Sequence, residues 1–426
     1  MKLNYRRTFF IGLAFLSISA FWQLYDSIVP LILKNTFKMD EVLTGAIMAI
    51  DNVLALFLLP LFGALSDRVD TRFGKRMPFI VLGTVFAVVF MMLIPRADQA
   101  VNFPLFFVAL GVTLISMGTY RSPAVALMPD LTPKPLRSKA NAVINLMGAV
   151  GYIYALAVIS LLVKETDKPD YTLVFALVAV LMVIAVVILV VTIDEKKQAA
   201  KISGETASQA FVDEKDDESK TGPLPSDVRK SLIFLLASIF LWFTAYNAVT
   251  TAYSRYAIEV WGLKGGSFAN SLMVAGAAAI VSYIPIGIIA SSIGRKKTIL
   301  AGILMITATY ICGFLFRQYS PWINVVFAFT GIGWSAINVN SYPMVVEMSR
   351  SGDVGKYTGY YYTFSMAAQI FTPIFSGFFL KISYRTLFPY AVVFSLLSFC
   401  TMLMVMHGDS RPPKRASRLE HFDTAD

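Results

Sequence analysis

Histidine and cysteine are almost missing, with two of each in 426 residues. Cys312 and Cys400 both fall inside apolar runs, which argues against a disulfide scaffold or a thiolate metal site. His407 and His421 lie at or beyond the last apolar run, which excludes a histidine proton relay inside a membrane. Charge is scarce as well. Only 15% of residues are Asp, Glu, Lys or Arg, against about 25% in soluble domains. No nucleophile–base or metal-ligand cluster is visible, so the chain reads as a non-enzyme with no cofactor and no metal. The formal charge of +10 would suit nucleic acid, but the basic residues sit in short loops between apolar runs. There they read as orienting charge in a membrane, with no nucleic-acid partner.

What is present is apolar: 56% of the chain, in runs long enough to cross a bilayer. A span needs about 20 mostly apolar residues, because the hydrocarbon is ~30 Å thick and a helix rises ~1.5 Å per residue. The N-terminus, MKLNYRRTFFIGLAFLSISA, imitates a secretory signal. The apolar run continues through Phe21 to Leu33, however, so it reads as an uncleaved first helix. The spans fall at 9–33, 43–66, 77–95, 103–130, 140–163 and 171–193, then at 231–253, 268–291, 297–316, 322–346, 355–380 and 386–406. The expected architecture is an all-α membrane protein of twelve transmembrane helices in two pseudo-symmetric six-helix bundles. The domains are 1–193 and 231–406, joined by a solvated linker at 194–230 and followed by a tail at 407–426. Most of the 37 Lys and Arg fall on the side holding both termini and the linker, which places that side in the cytoplasm.

The halves repeat. Pro60-Leu-Phe-Gly63 leads into Gly74-Lys75-Arg76, and Pro285-Ile-Gly287 leads into Gly294-Arg295-Lys296-Lys297. Two equivalent bundles with a site between them is the architecture of alternating-access carriers.

The stretch GALSDRVDTRFGKRMPFI, residues 63–80, resembles the helix 2–3 signature of the major facilitator superfamily. Its chemistry is a latch. Gly63 permits close helix approach, and Asp67 accepts from a neighbouring helix start or an arginine. Arg68, Arg72, Gly74, Lys75 and Arg76 hold the cytoplasmic face. In the second half the Asp position is Ser291 or Ser292, a weakened copy. Asp130 and the pair Glu347 and Arg350 read as further members of a cytoplasmic gate.

TYRSPAVALMPDLTPKPLRSKANAVINLMGAVGY (119–152), PLFGALSDRVDTRFGKRMPFI (60–80), GIGWSAINVNSYPMVVEM (331–348) and MAAQIFTPIFSG (366–377) are similar to two groups. These are the sucrose-transporter-like proteins, above all their bacterial branch, and the glycoside–pentoside–hexuronide:cation symporters. The resemblance implies uptake of a sugar or glycoside coupled to protons or sodium. Two departures stand out. The helix 4 arginine of plant sucrose carriers falls at Val125, with Arg121 one turn earlier. The paired helix 2 carboxylates of sodium-dependent melibiose-type carriers fall at Ala55 and Leu59, so the ion is read as H⁺ rather than Na⁺.

Each charge at the bilayer centre costs about 2.5–3.5 kcal/mol or more. Three need a reason: Asp26, Asp51 and Arg121. Asp26 and Asp51 lie at similar depth, about 25 Å and 24 Å from the cytoplasmic ends of their helices, and are read as the coupling-ion site. A carboxyl group away from water and beside another holds its proton more readily, as proton coupling requires. Arg121 can pair with a carboxylate or donate to sugar hydroxyls. The plainer readings are a headgroup-reaching Asp26, a vestibule-rim Asp51 and an interhelical clamp at Arg121. Arg255 and Glu259 read as a solvated pair at the outer end of helix 7, leaving ion coupling to the first half.

Sugars are held by hydrogen-bonding side chains and aromatic faces. The substrate-binding candidates are Gln23 and Tyr25 on helix 1, Asn52 on helix 2, Arg121 on helix 4 and Asn145 on helix 5. Helix 7 adds Tyr246, Asn247 and Thr250; helix 10 adds Trp334, Asn338 and Asn340; helix 11 adds Tyr360, Tyr361 and Gln369. The plainer reading is interhelical hydrogen bonding for the amides and packing for the aromatics. Pro30, Pro60, Pro285, Pro343 and Pro373 read as bending points or passive kinks.

The chain is therefore expected to be a monomeric, proton-coupled sugar or glycoside importer of the cell membrane, with the solute, H⁺ and the lipid bilayer as its partners. The rivals are a drug or metabolite exporter by proton antiport, and a non-transporting membrane sensor.

Overall fold

A computed structural model of the chain describes residues 3–132, 136–166, 168–198, 225–348 and 354–409, with the backbone alone at 137–139 and 354–355. Most of the expected linker, the tail beyond 409 and Arg350 lie outside the described residues. Among the described residues, twelve helices are long and apolar enough to cross a membrane. They are α1 (Tyr5–Asn35), α2 (Glu41–Arg68), α3 (Met77–Gln99), α4 (Phe103–Asp130), α5 (Arg137–Leu162) and α6 (Thr172–Thr192). In the second half are α7 (Ser226–Glu259), α8 (Ala269–Ile293), α9 (Arg295–Leu315), α10 (Trp322–Glu347), α11 (Val354–Ile382) and α12 (Leu387–Leu403). The architecture is all-α, as the sequence predicts.

Hydrocarbon offers no partner to a backbone amide, so each span must satisfy its own N–H and C=O groups as helix. The ends need other partners. Asn4 accepts from the Arg7 N–H (3.1 Å) at the start of α1. Asn102 accepts from the Leu105 N–H (3.1 Å) at the start of α4, where Pro104 occupies the first turn and gives up no needed donor. Gly294, at φ +96°, turns the chain between α8 and α9 in a conformation a side chain would strain.

Two helices depart from the predicted spans. The helix of α3 is interrupted at Met92. Pro95 has no N–H to return to the Met91 carbonyl four residues back, so the ladder cannot continue unbroken. α7 runs 34 residues, extending past both apolar ends. Its terminal turns carry Asp227, Arg229, Lys230 and Glu259, which an apolar count discards but a helix end tolerates. Pro30, Pro60, Pro285, Pro343 and Pro373 all lie inside continuous helices.

The chain forms two compact units: Met1–Lys38 with Ile50–Asp216 and Gly265–Ser267, and Met39–Ala49 with Asp217–Lys264 and Phe268–Asp426. The packing repeats between them. In the first, α1 packs on α5 and α6, and α3 on α4 and α6; in the second, α7 packs on α11 and α12, and α9 on α10 and α12. The start of α2 belongs with the second unit, so α2 is divided near Ile50. Small residues let the helices close up. At Gly151 of α5, a Cβ would fall on the Leu16 carbonyl of α1.

Gly151→Val should therefore destabilise the first unit by about 1–3 kcal/mol through overpacking. The measurement is loss of monodisperse protein on heating in detergent. Wild-type heat resistance would mean that α1 and α5 can separate without cost.

Candidate functional site

In the first unit, α4 is fixed on two sides around Arg121. The buried Tyr120 hydroxyl donates to the Ala14 carbonyl (3.0 Å) and meets the Ser17 hydroxyl, tying α4 to α1. The Ser122 hydroxyl donates to the Leu59 carbonyl (2.8 Å), tying α4 to α2. Arg121 stands between these anchors with its guanidinium carbon 5.9 Å from the Trp22 ring centre, a cation–π distance. Its charge also acts on the Asp51 carboxylate. Asp51 in turn acts on Asp26 and on the Tyr25 hydroxyl. The Asn52 amide donates to Asp51 Oδ1 (2.7 Å), and Tyr25 meets Trp22 edge to face at 5.6 Å. Three charged groups from α1, α2 and α4 thus share one neighbourhood in a mostly apolar unit. In low dielectric, such charges are felt far more strongly than in water.

Trp22 was not singled out by the sequence reading. Its signal was available, since it lies one helical turn before Asp26. Its indole N–H is buried and has no hydrogen-bond partner. Gln23 is buried and donates to the Ser27 hydroxyl (2.7 Å). Asn145 is half-buried on α5.

The second unit gathers rings instead of charges. Tyr246 of α7 stacks on Trp334 of α10, with centroids 3.7 Å apart and planes 9° apart. Phe243 meets the edge of Trp334 at 5.4 Å and lies 6.5 Å from Tyr361 of α11. The Tyr361 hydroxyl pairs with that of Ser341 (3.3 Å), and Tyr342 adds an edge contact at 5.5 Å. The amides divide. Asn247 keeps a buried Nδ2 with no partner, whereas Asn340 turns its Nδ2 back to the Ala336 carbonyl of its own helix (2.9 Å). Thr250 likewise donates within its helix, to the Asn247 carbonyl (3.3 Å). Asn338 is buried and Gln369 half-buried. Tyr360 is exposed near Lys356, apart from the ring cluster.

At the basic end of the first unit, Arg76 is the hub. Its Nε donates to Asp130 Oδ2 (2.9 Å), Nη2 to Asp67 Oδ1 (2.5 Å), and Nη1 to the Ser66 hydroxyl (2.5 Å) and the Gly63 carbonyl (3.3 Å). Burial alone would lower its pKa, but Asp130 and then Asp67 raise it above the ordinary arginine value. Gly63 lies close to α4, where a Cβ would come within 3.0 Å of Ser122 Oγ. Gly74, at φ +107°, makes the turn that brings Glu195 onto the start of α3. Glu195 accepts from the backbone N–H groups of Lys75 (2.7 Å), Arg76 (3.0 Å) and Met77 (3.0 Å). These are orphan donors of a helix N-terminus, where an anion is favoured. The sequence reading missed Glu195 because it sits at the edge of a charged linker. Arg68, Arg72 and Lys75 are exposed, Arg72 lying against the Phe73 ring at 4.6 Å.

The second unit carries the counterpart. Arg295 pairs with Glu347 at the end of α10, as Arg76 pairs with Asp130 at the end of α4. Asp409 accepts from the Lys296 N–H (2.7 Å) at the start of α9, as Glu195 does at α3. Ser291 and Ser292 donate to carbonyls of their own helix, so neither serine takes the place of Asp67.

One pairing corrects the sequence reading. Arg255 is not in a solvated pair with Glu259. It is buried and donates to Glu41 Oε2 at 2.8 Å, within the second unit. The two residues are 214 apart in the chain, so no local spacing could have joined them. Among the described residues, no group of three or more His, Cys, Asp or Glu side chains could hold a metal ion.

A family model described as the Major Facilitator Superfamily matches residues 11–335 and again 271–424. No curated protein matches the chain in sequence. Among solved structures, the peptide transporter POT in complex with sulfate is similar at a TM-score of 0.69 and 13% identity, over 94% of this chain and 93% of that one. The nucleoside transporter NupG is similar at 0.67 and 15%, over 94% and 100%. The xylose transporter XylE from E. coli, in an inward open conformation, is similar at 0.66 and 15%, over 94% of each chain. At these identities the likeness is one of fold.

The Arg76 hub yields a test of geometry against charge. Arg76→Lys keeps the charge but cannot reach Asp130, Asp67 and Gly63 together. It should lose about 1.5–3 kcal/mol of stability, the range for hydrogen bonds to charged groups, seen as a lower unfolding temperature in detergent. A variant as stable as wild type would show that charge alone suffices.

Proposed function

Because the chain belongs to the major facilitator superfamily, we propose that it is a secondary active transporter importing a sugar or glycoside together with protons, by alternating access. The observation that carries the reading is the group Asp26, Asp51 and Arg121, three ionisable side chains within electrostatic reach inside the first unit. Charges at such depth are costly and face function more often than lipid. The carboxylates are the proton acceptors, and Arg121 is the internal counter-charge that competes for Asp51. Protonation of the pair from outside frees Arg121 to donate to solute hydroxyls. Binding then favours the conformation in which proton and solute are both held, since a ligand shifts an equilibrium only through differential affinity.

The solute is met in the second unit by Tyr246, Trp334 and Tyr361, with Asn247 and Asn338 as hydrogen-bonding groups. Aromatic faces suit the C–H surface of a sugar ring, and the unpartnered Asn247 Nδ2 is a donor awaiting an acceptor. On this reading both termini are cytoplasmic, the protein works as a monomer in the cell membrane, and the Arg76 and Arg295 clusters steady its cytoplasmic face. One observation favours the rival exporter by proton antiport. The ring cluster is more aromatic and less amide-rich than the sequence implies, since Asn340 and Thr250 bond within their own helices.

Uptake of radiolabelled mono- and disaccharides into proteoliposomes, under imposed pH or sodium gradients, separates these readings. Accumulation driven by an acidic exterior and not by sodium is expected; no accumulation of any sugar under either gradient would refute the importer. Asp51→Asn is expected to abolish gradient-driven accumulation while sparing counterflow exchange, and unaltered accumulation would transfer coupling to Asp26. Trp334→Ala is expected to raise the half-saturating solute concentration about ten-fold, the effect of losing a ring contact worth about 1.4 kcal/mol. An unchanged value would exclude Trp334 from the solute site.

A further inference from the structure

At the end of α3 opposite Arg76, the first unit holds a cavity of about 260 Å³, just below the ~300–1,000 Å³ of most small-molecule sites. It lies where the end of α1, the end of α3 and the start of α6 meet. Leu31, Ile32, Asp98 and Tyr171 are its buried lining, and Lys38 and Lys168 stand exposed at its edge. The cavity is separate from the Asp26, Asp51 and Arg121 group. Thr36, in its wall, stands about 15 Å beyond Asp26 at the rise of a helix.

Asp98 is the group that needs an account. It is 1% exposed. Its Oδ1 accepts from the Thr36 hydroxyl (2.5 Å), but its Oδ2 is buried with no hydrogen-bond partner. A buried carboxylate oxygen left bare is costly, and a native structure retains one for a reason. The nearby charges do not relieve it. Lys168 and Asp170 both act on Asp98. The Lys168 ammonium, however, donates to the Gln99 carbonyl (3.0 Å), and Asp170 Oδ1 accepts from the Thr172 N–H (2.8 Å) and hydroxyl (2.6 Å). The backbone around the cavity is strained as well. Among the described residues, the non-glycine residues with positive φ are Lys38 (54°) and Val101 (52°), and both line it. A β-branched residue enters that region only at a cost, of the kind that binding sites retain.

We infer that this cavity binds a small zwitterion, a primary ammonium that donates to Asp98 Oδ2 and carries an anionic group that meets Lys38 and Lys168. Other ligand classes answer only part of the site. A simple cation satisfies Asp98 but must pass two lysines. A simple anion satisfies the lysines but meets a buried charge of its own sign. A neutral polyol can donate to Oδ2, yet a hydrogen bond with both partners charged is roughly twice as strong as one between neutral groups. Opposite charges a few bonds apart match the carboxylate within and the ammonium groups at the edge. The nitrogen must also bear a proton, because a quaternary ammonium has nothing to donate to a bare oxygen. Two sources carry this chemistry: a free zwitterion in water, and the headgroup of an aminophospholipid at the level of the helix ends.

The probe is O-phosphoethanolamine, titrated calorimetrically into the whole protein in detergent and in nanodiscs of phosphatidylcholine or phosphatidylethanolamine. Saturable binding is expected in detergent and in phosphatidylcholine discs. Phosphocholine, with the same charges and no N–H, should bind about ten-fold more weakly, the loss of one charge-assisted hydrogen bond. Asp98→Asn keeps the acceptor for Thr36 and removes the charge, and should weaken O-phosphoethanolamine by about ten-fold or more. Lys38→Asn sits at an exposed position whose left-handed backbone suits asparagine. It should weaken O-phosphoethanolamine about three-fold, as loss of an exposed charge partner does, and should not weaken ethanolamine, which lacks the anion. If Asp98→Asn does not survive purification, Lys38→Asn with these two probes carries the test. Binding that is present in phosphatidylcholine discs and lost in phosphatidylethanolamine discs supports the inference with the lipid headgroup as occupant. Equal binding in both discs supports it with a soluble zwitterion. The inference is overturned if O-phosphoethanolamine binds in neither detergent nor phosphatidylcholine discs, if phosphocholine binds as tightly, or if the variants bind as wild type does.

Discussion

Every polar atom placed among apolar helices must find a partner within the protein, because lipid supplies none. This constraint explains most of the structure. Hydroxyls in the spans turn back onto their own backbone: Thr84 donates to Ile80, Thr113 to Ala109, Thr244 to Phe240 and Thr307 to Ile303. Charges gather at helix ends, where they cap amides or pair, as Glu195 and Arg76 do. Against that background a group that breaks the rule carries information. Asp26, Asp51 and Arg121 stand out in the first unit because their ionisable groups lie far from the helix ends.

The same constraint shaped the repeat. Each unit closes its basic end with an arginine at the start of its third helix, pairing with the last residue of its fourth: Arg76 with Asp130, Arg295 with Glu347. Each also caps that third helix with an acid from the segment after its sixth: Glu195 and Asp409. What is retained in both copies is the part that satisfies backbone amides and neutralises a partly buried guanidinium. Asp67, the member 62% exposed, is the one missing from the second copy. An exposed ion pair contributes little to stability, so its loss there is cheap.

The twelve spans were legible because apolar length is a local property, and the Gly63–Arg76 signature because its members lie within one loop. Boundaries at α3 and α7 were less so. At α3 Pro95 interrupts a run that still reads as apolar, and α7 continues through charges that a hydropathy count rejects. The site was legible in residue type but not in partnership. Asp26, Asp51 and Arg121 stand out alone as charges, yet that Arg121 faces Trp22 depends on how Tyr120 and Ser122 hold α4. Arg255 was misread for the same reason. Glu259 is its neighbour by spacing, whereas Glu41 is its neighbour only after the chain has folded. Asn340 shows the converse, a residue of the right type whose amide is already committed to its own helix.

The two units also differ in what they offer a ligand. A proton needs one lone pair and a neighbourhood that makes its arrival matter, which carboxylates near an arginine provide with no requirement for shape. A larger solute needs surface. Stacked and edge-on rings supply it at little cost in side-chain entropy, since a Tyr or Trp side chain has only two torsions to fix. Charges would serve the second task poorly, because each must be desolvated before a neutral molecule can touch it. Rings would serve the first poorly, having no lone pair to protonate. On the proposed reading, two binding tasks with opposite chemical demands are met by different parts of the chain.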